Sequence, residues 1–277
     1  MPPNEEAGAV FAPAQDFDYD RGAYGPVRRR AIAVETPIQL AFGGAPFAVM
    51  MATPRDLKDF AVGFALTEGI VERIDEIRDV EIAAIDGGMR LDVALAGERM
   101  SAHLARSRAM SGRTGCGLCG LEDLAHLPKP RRPVPAGAPI APAAIRAALL
   151  GLERAQPLNA ETRAMHGAAW SDRSGAVLVV REDVGRHNAL DKLIGALALA
   201  SVDPTSGFIV LTSRCSFEMV AKAAAFGAAT LVSVSAPTSL ALERARESGV
   251  TLIAIARADQ ATLFTVATSG ASGGLAA

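Results

Sequence analysis

The sequence predicts an α/β protein: a C-terminal α/β domain with a mostly parallel sheet, joined to a smaller N-terminal α+β domain. Three observations predict it. From residue 176 to 256, continuous apolar runs alternate with amphipathic helical stretches, as in strands covered by helices. Before residue 97, shorter β-rich runs surround one helical stretch. Between the two, residues 128–142 hold six of the 16 prolines, the composition of a linker or rigid crossing. A length of 277 residues fits about two domains.

The elements follow in order. Residues 1–28 are polar, acidic and without period, which predicts a flexible tail. The N-terminal domain is expected over 29–127. Phe42-Gly43-Gly44-Ala45 joins two apolar runs and signals a hairpin. Thr53-Pro54 marks a helix start. Leu57, Phe60, Ala61, Phe64 and Ala65 then form one apolar face. Residues 78–85 and 89–96 read as strands around Asp86-Gly87-Gly88. The C-terminal domain is expected over 143–268, with a helix near 142–154. Strands follow at 176–181, 208–212, 230–235 and 250–256, with a further one at 262–267. Helices fall around 190–198, 217–226 and 239–248. Residues 269–277 read as a second flexible tail. Sites in such sheets lie at the carboxyl ends of the strands.

Composition narrows the function. With 50% hydrophobic and 21% charged residues and a mean hydropathy of +0.23, the chain is not a disordered one. A net charge of -2 and a pI of about 6.1 exclude a globally basic nucleic-acid binder. Of 28 basic residues, 24 are arginine, which suits bidentate anion recognition. Codon bias in a GC-rich genome explains the same excess. Three cysteines build no disulfide framework, and the N-terminal stretch has no basic start, so a reduced cytoplasmic protein is expected. The longest uncharged run, Ala223 to Leu242, contains Pro237 and several hydroxyl residues, so no membrane span is expected.

Four clusters carry chemistry. The first is the loop 106–120, with Cys116-Gly-Leu-Cys119 inside a segment (99–132) holding seven bases and two acids. Neighbouring cations lower a thiol pKa, and Gly112, Gly115, Gly117 and Gly120 give the backbone hinge freedom. Three readings stay open: half of a zinc site, a dithiol redox pair, or a persulfide carrier. A zinc site needs two more ligands, and Cys215, His103, His126, His166 and His187 lack ligand spacing, so no metal is assigned. The second cluster, Glu182-Asp-Val-Gly-Arg186-His187-Asn188, lies where a strand hands over to a helix, whose free N–H groups favour an anion. Asp183 or Asn188 capping that helix, with His187 packed, is the plainer reading. The third cluster is Thr212-Ser-Arg214-Cys215-Ser216, with Ser216 as an N-cap and Glu218 in the first turn. The fourth is Arg257 to Gln260, after the strand at 250–256. Trp170 reads as core. No Walker A, no GxGxxG after a strand and no zinc-deaminase signature is present.

These residues resemble the FdhD family of formate dehydrogenase accessory sulfurtransferases. The anchors are MMATPRDLKDFAVGFALTEGI (50–70), SGRTGCGLCG (111–120), HGAAW (166–170), EDVGRHNALDKLIG (182–195) and the stretch 212–241. The resemblance implies a homodimer whose C-terminal domain looks like a cytidine-deaminase fold without the zinc chemistry. It implies persulfide sulfur taken from a cysteine desulfurase and passed to the bis(molybdopterin guanine dinucleotide) molybdenum cofactor, for formate dehydrogenase. It implies Cys116 as persulfide carrier and Cys119 as the second thiol. It implies that the guanine nucleotide is held by Ile255, Ala256, Arg257, Ala258, Asp259 and Gln260. The family's Lys-Pro-Gly-Arg-like pattern there is replaced by Arg-Ala-Asp-Gln. Arg186, His187 and Arg214 join them as expected anion contacts. The alternative is a chaperone that holds the cofactor without covalent sulfur transfer.

Overall fold

The computed structural model describes residues 8–97 and 133–266. Cys116, Cys119, the loop 106–120, the start of the linker and the tail 269–277 lie outside the described residues.

The tail expected over 1–28 is corrected for its described part. Strand β1 (Ala9–Ala14) pairs antiparallel with β4 (Arg28–Ala33), and β2 (Phe17–Asp18) pairs with β3 (Ala23–Tyr24). The acids that suggest a solvated tail have local partners. Asp16 pairs with Arg30, and Asp18 lies 3.6 Å from Arg21. The ribbon is half-exposed on both faces, so it carries no clean alternation.

The N-terminal unit is a four-stranded sheet in the order β6-β5-β8-β7. β5 (Thr36–Phe42) and β6 (Ala45–Ala52) form the expected Gly-Gly hairpin. β7 (Ile77–Ile85) and β8 (Gly88–Leu95) form the second hairpin, with β8 parallel to β5. Helix α1 (Leu57–Thr67) covers one face. Its Phe60 and Phe64 pack with Ile38, Leu40, Leu91 and Val93 in one buried cluster. Six fully buried aliphatic or aromatic side chains of this kind contribute on the order of 10 kcal/mol of gross hydrophobic free energy. The helix begins three residues later than Thr53-Pro54 suggests, after Asp56 in a left-handed conformation (φ 53°). Thr53 is occupied elsewhere, as described below.

The C-terminal unit is a six-stranded sheet, β10-β9-β11-β12-β13-β14. Its strands are β9 (His166–Asp172), β10 (Val177–Asp183), β11 (Gly207–Leu211), β12 (Thr230–Ser233), β13 (Thr251–Ala254) and β14 (Thr262–Thr265). Parallel pairing is confined to the centre, β11-β12-β13, and the remaining pairs are antiparallel. The α/β class therefore holds, but the sheet is mixed. β11 (GFIVL) and β12 (TLVS) are buried along their whole length, because helices cover both faces. Ile209, Leu211, Leu231 and Leu252 point to α4 (Arg186–Leu199), α5 (Phe217–Phe226) and α6 (Ser239–Ser248). Phe208, Val210, Val232 and Ile253 point to α2 (Pro142–Arg154). A short helix, α3 (Pro157–Thr162), leads into β9. Trp170 is core, edge-on to Phe226.

The two units meet where α1 crosses α4. A Cβ on Gly63 would sit 1.7 Å from the Asp191 carbonyl oxygen, and one on Gly195 would sit 1.9 Å from that of Asp59. Only glycine permits this backbone-to-backbone approach.

Candidate functional site

Two chain reversals, β10 to β9 and β9 to β11, make β10 run in the same direction as the parallel trio. The carboxyl ends of β10, β11, β12 and β13 therefore share one edge of the sheet, which is where the clusters at 182–188, 212–216 and 255–260 come together. The amino end of β9, with His166, lies at the same edge beside Asp183.

Backbone and hydroxyl bonds fix this edge. Gly167 N donates to Thr212 Oγ1 at 2.9 Å. Ser233 Oγ donates to the Ser213 carbonyl at 2.7 Å. Ala256 N reaches the Ser233 carbonyl at 3.1 Å, and Ile255 N the Ser235 carbonyl at 3.2 Å. Cys215 and Pro237 form a parallel bridge that sets the starts of α5 and α6 side by side. Ser216 is the N-cap residue of α5, and Thr238 caps α6 by accepting from Ala241 N. Three helix N-termini, those of α4, α5 and α6, thus open on one edge. Their unpaired N–H groups favour anions.

The cations stand among them. Arg186 opens α4 and is partly exposed, and Arg214 is exposed between β11 and α5. Ile255 adopts a left-handed conformation (φ 51°) and stands exposed, whereas Ala256 turns inward and is buried. Arg257 N donates to the Gln260 carbonyl at 2.7 Å, closing a short turn. The Arg257 guanidinium rests on the Val234 carbonyl. Ala258, Asp259 and Gln260 are exposed on this turn. Asp259 is the one acid among these contacts.

His187 joins the second cluster to the third. Its Nε2 lies 2.9 Å from Glu218 Oε2, and Ser216 Oγ donates to the same oxygen at 3.3 Å. Burial pushes the Glu218 carboxyl up, but the hydrogen bond and charge of His187, with the Ser216 hydroxyl, outweigh it and hold the group below its ordinary value. His166 is pushed down, first by burial and then by the charges of Arg186 and His187.

The rest of EDVGRHNALDK faces inward. Glu182 accepts from Leu158 N (3.0 Å) and Asn159 N (2.8 Å) at the start of α3. Asp191 pairs with Lys222 at 2.9 Å, and Lys222 also reaches Glu68 at 2.9 Å. These acceptors outweigh burial and hold Lys222 charged. The plainer reading is corrected: the N-cap residue of α4 is Gly185, with no side-chain cap, while Asp183 and Asn188 fix the turn before it and His187 stays half-buried at the edge. The partners Thr53 and Lys192 escaped sequence reasoning. Thr53 looks like a helix cap, and nothing in the spacing shows that a lysine will be enclosed.

Cys215 is fully buried, and burial pushes its thiol up to about 12. It is the only cysteine among the described residues. Among those residues no group of three or more His, Cys, Asp or Glu side chains is arranged to hold a metal ion. None of their helices is long and apolar enough to cross a membrane. An edge of arginines and helix N-termini offers hydrogen-bond donors and positive charge to an anion.

The FdhD/NarQ family model matches residues 33–269. The chain belongs to this family. A protein named sulfur carrier protein FdhD from Variovorax paradoxus (strain S110) is 48% identical over 234 residues, covering 84% of each chain. One of the same name from Bordetella petrii is 47% identical over 236 residues, again covering 84% of each. In fold, the family member resembles the crystal structure of a protein described as a formate dehydrogenase accessory protein, from Desulfotalea psychrophila. The TM-score is 0.72 at 24% identity, over 93% of this chain and 97% of that one.

Proposed function

We propose that this FdhD/NarQ protein is a sulfur carrier and sulfurtransferase in the maturation of formate dehydrogenase. It accepts persulfide sulfur from a cysteine desulfurase on Cys116, with Cys119 as the second thiol. It delivers that sulfur to the bis(molybdopterin guanine dinucleotide) molybdenum cofactor, bound as substrate. It acts in the cytoplasm as a homodimer.

The observation that carries the reading is the sheet edge. Arg186, Arg214 and Arg257 stand on it with three helix N-termini. The guanine nucleotide end of the cofactor takes the Ile255–Gln260 turn, and its phosphates take the helix starts and arginines. The family and the names of its relatives support the sulfur chemistry. So does the state of Cys215. A thiol at about 12, fully enclosed, holds almost no thiolate at neutral pH, which turns attention to Cys116 and Cys119. A persulfide is a stronger acid and nucleophile than a thiol, so the arginines flanking Cys116 in sequence favour its anion.

The test is complementation of a strain lacking the protein. Cys116→Ala is expected to abolish formate dehydrogenase activity, while guanosine diphosphate still binds. Arg257→Ala is expected to weaken that binding. Full activity with Cys116→Ala would favour the cofactor-holding chaperone instead.

A further inference from the structure

We infer that Asp183, paired with Lys192, is a positioning residue: it ties the turn presenting Arg186 and His187 to the Met51–Thr53 stretch of the N-terminal unit. The inference rests on the proposed anion-binding edge and deepens it.

Neither Asp183 nor Lys192 has any side-chain exposure, and their charged atoms lie 2.6 Å apart. The Asp183 carboxylate collects four donors. Oδ1 accepts from Gly185 N at 2.7 Å and Asn188 Nδ2 at 2.9 Å. Oδ2 accepts from Thr53 N at 2.9 Å and from Lys192. Lys192 also donates to the Thr53 carbonyl at 2.8 Å, and Asn188 to the Met51 carbonyl at 2.8 Å. One carboxylate thereby fixes the residue before Arg186, the first turn of α4 and, at Thr53, the chain just after β6 of the other unit.

A fully enclosed ion pair is a poor device for stability, because desolvating two charges consumes most of their attraction. Its geometry is another matter. Two oxygens with four donors in fixed directions admit one orientation of the turn. Arg186 depends on that orientation. Among the described residues its Nε is buried without a hydrogen-bond partner, so the turn beneath it is what aims the side chain there. His187 follows on the same turn and must meet Glu218 on α5.

The test compares three full-length variants with the parent. Asp183→Asn with Lys192→Met removes both charges together. Arg181→Met cuts different ion pairs of the same interface, with Asp59 at 2.7 Å and Asp56 at 3.6 Å, and touches none of the Asp183 hydrogen bonds. Asn188→Ala removes one bridge and leaves the pair. Each is measured for thermal midpoint, affinity for guanosine diphosphate, and the NMR titration of His187. The double variant is expected to keep a near-parental midpoint yet lose affinity by about tenfold or more. Its His187 titration should move, while Arg181→Met changes neither. Parental affinity and titration in the double variant would overturn the inference, as would an equal loss in Arg181→Met. If the double variant does not fold, Asn188→Ala decides on the same two readouts. Should the parent bind no nucleotide, the proposed edge fails. The His187 titration then still tests the positioning role, supporting it if moved in the double variant alone and overturning it if unmoved.

Discussion

Helix α4 has two sides that solve opposite problems. Toward α1 it is closed: Gly63 and Gly195 bring the backbones into contact, and Asp191, Lys192 and Lys222 are enclosed with partners. Toward the sheet edge it is open: Arg186 and His187 are half-buried at its first turn. Asp191 and Lys192 of the closed side and Arg186 and His187 of the open side come from one short stretch, EDVGRHNALDK. A polar residue whose hydrogen bonds all end on protein is committed to holding the fold. One left half-exposed beside helix N-termini keeps capacity for a ligand.

The closed side should break hardest. Lys222→Met leaves Asp191 enclosed without its cation, with the Thr67 hydroxyl still donating to it at 2.7 Å, at a cost of about 3–5 kcal/mol in denaturant unfolding. A loss below about 1 kcal/mol would mean the network is relaxed by water. Gly195→Ala places a methyl 1.9 Å from the Asp59 carbonyl, so the helices must part, at about 1–3 kcal/mol. Unchanged stability would show that the crossing is looser than described.

The open side should respond to pH and ligand. The folded-state pKa of Glu218 lies below its unfolded value, so its pairing with His187 stabilises above the unfolded pKa. That contribution disappears as pH falls through the lower, folded value. The stability gap between the parent and Glu218→Gln is therefore expected at neutral pH and should close in acid. A gap constant across this range would remove the His187–Glu218 pair from the account. Arg214→Ala should change stability least, by no more than about 0.5 kcal/mol, because the side chain is exposed. Its effect should fall on guanosine diphosphate affinity, measured by calorimetry. A large stability loss with unchanged affinity would reverse its assignment from the open side to the closed one.

The sequence made the central strands and their helices legible, because FIVLT and TLVSVS are apolar runs bounded by turn residues. Strand direction was not legible, since a run buried on both faces looks the same in either orientation. Strand β9 carries Gly167, Ala168 and Ala169, whose small side chains give little β signal although all three are buried. The ribbon at 9–33 looked like a tail because its acids precede the arginines that neutralise them. At the candidate site, the three polar clusters were visible as sequence, and their shared edge followed from strands ending together. The roles of Thr53 and Lys192 were not visible, because the two residues lie 139 positions apart, one in each unit.

The central proposal is that sulfur is carried on Cys116. The most direct measurement is the intact mass of the reduced protein after incubation with a cysteine desulfurase and cysteine, without reductant. The account predicts a gain of one sulfur that vanishes with reductant, is lost in Cys116→Ala and persists in Cys215→Ala. No gain in the parent, or a gain that survives Cys116→Ala, would contradict it.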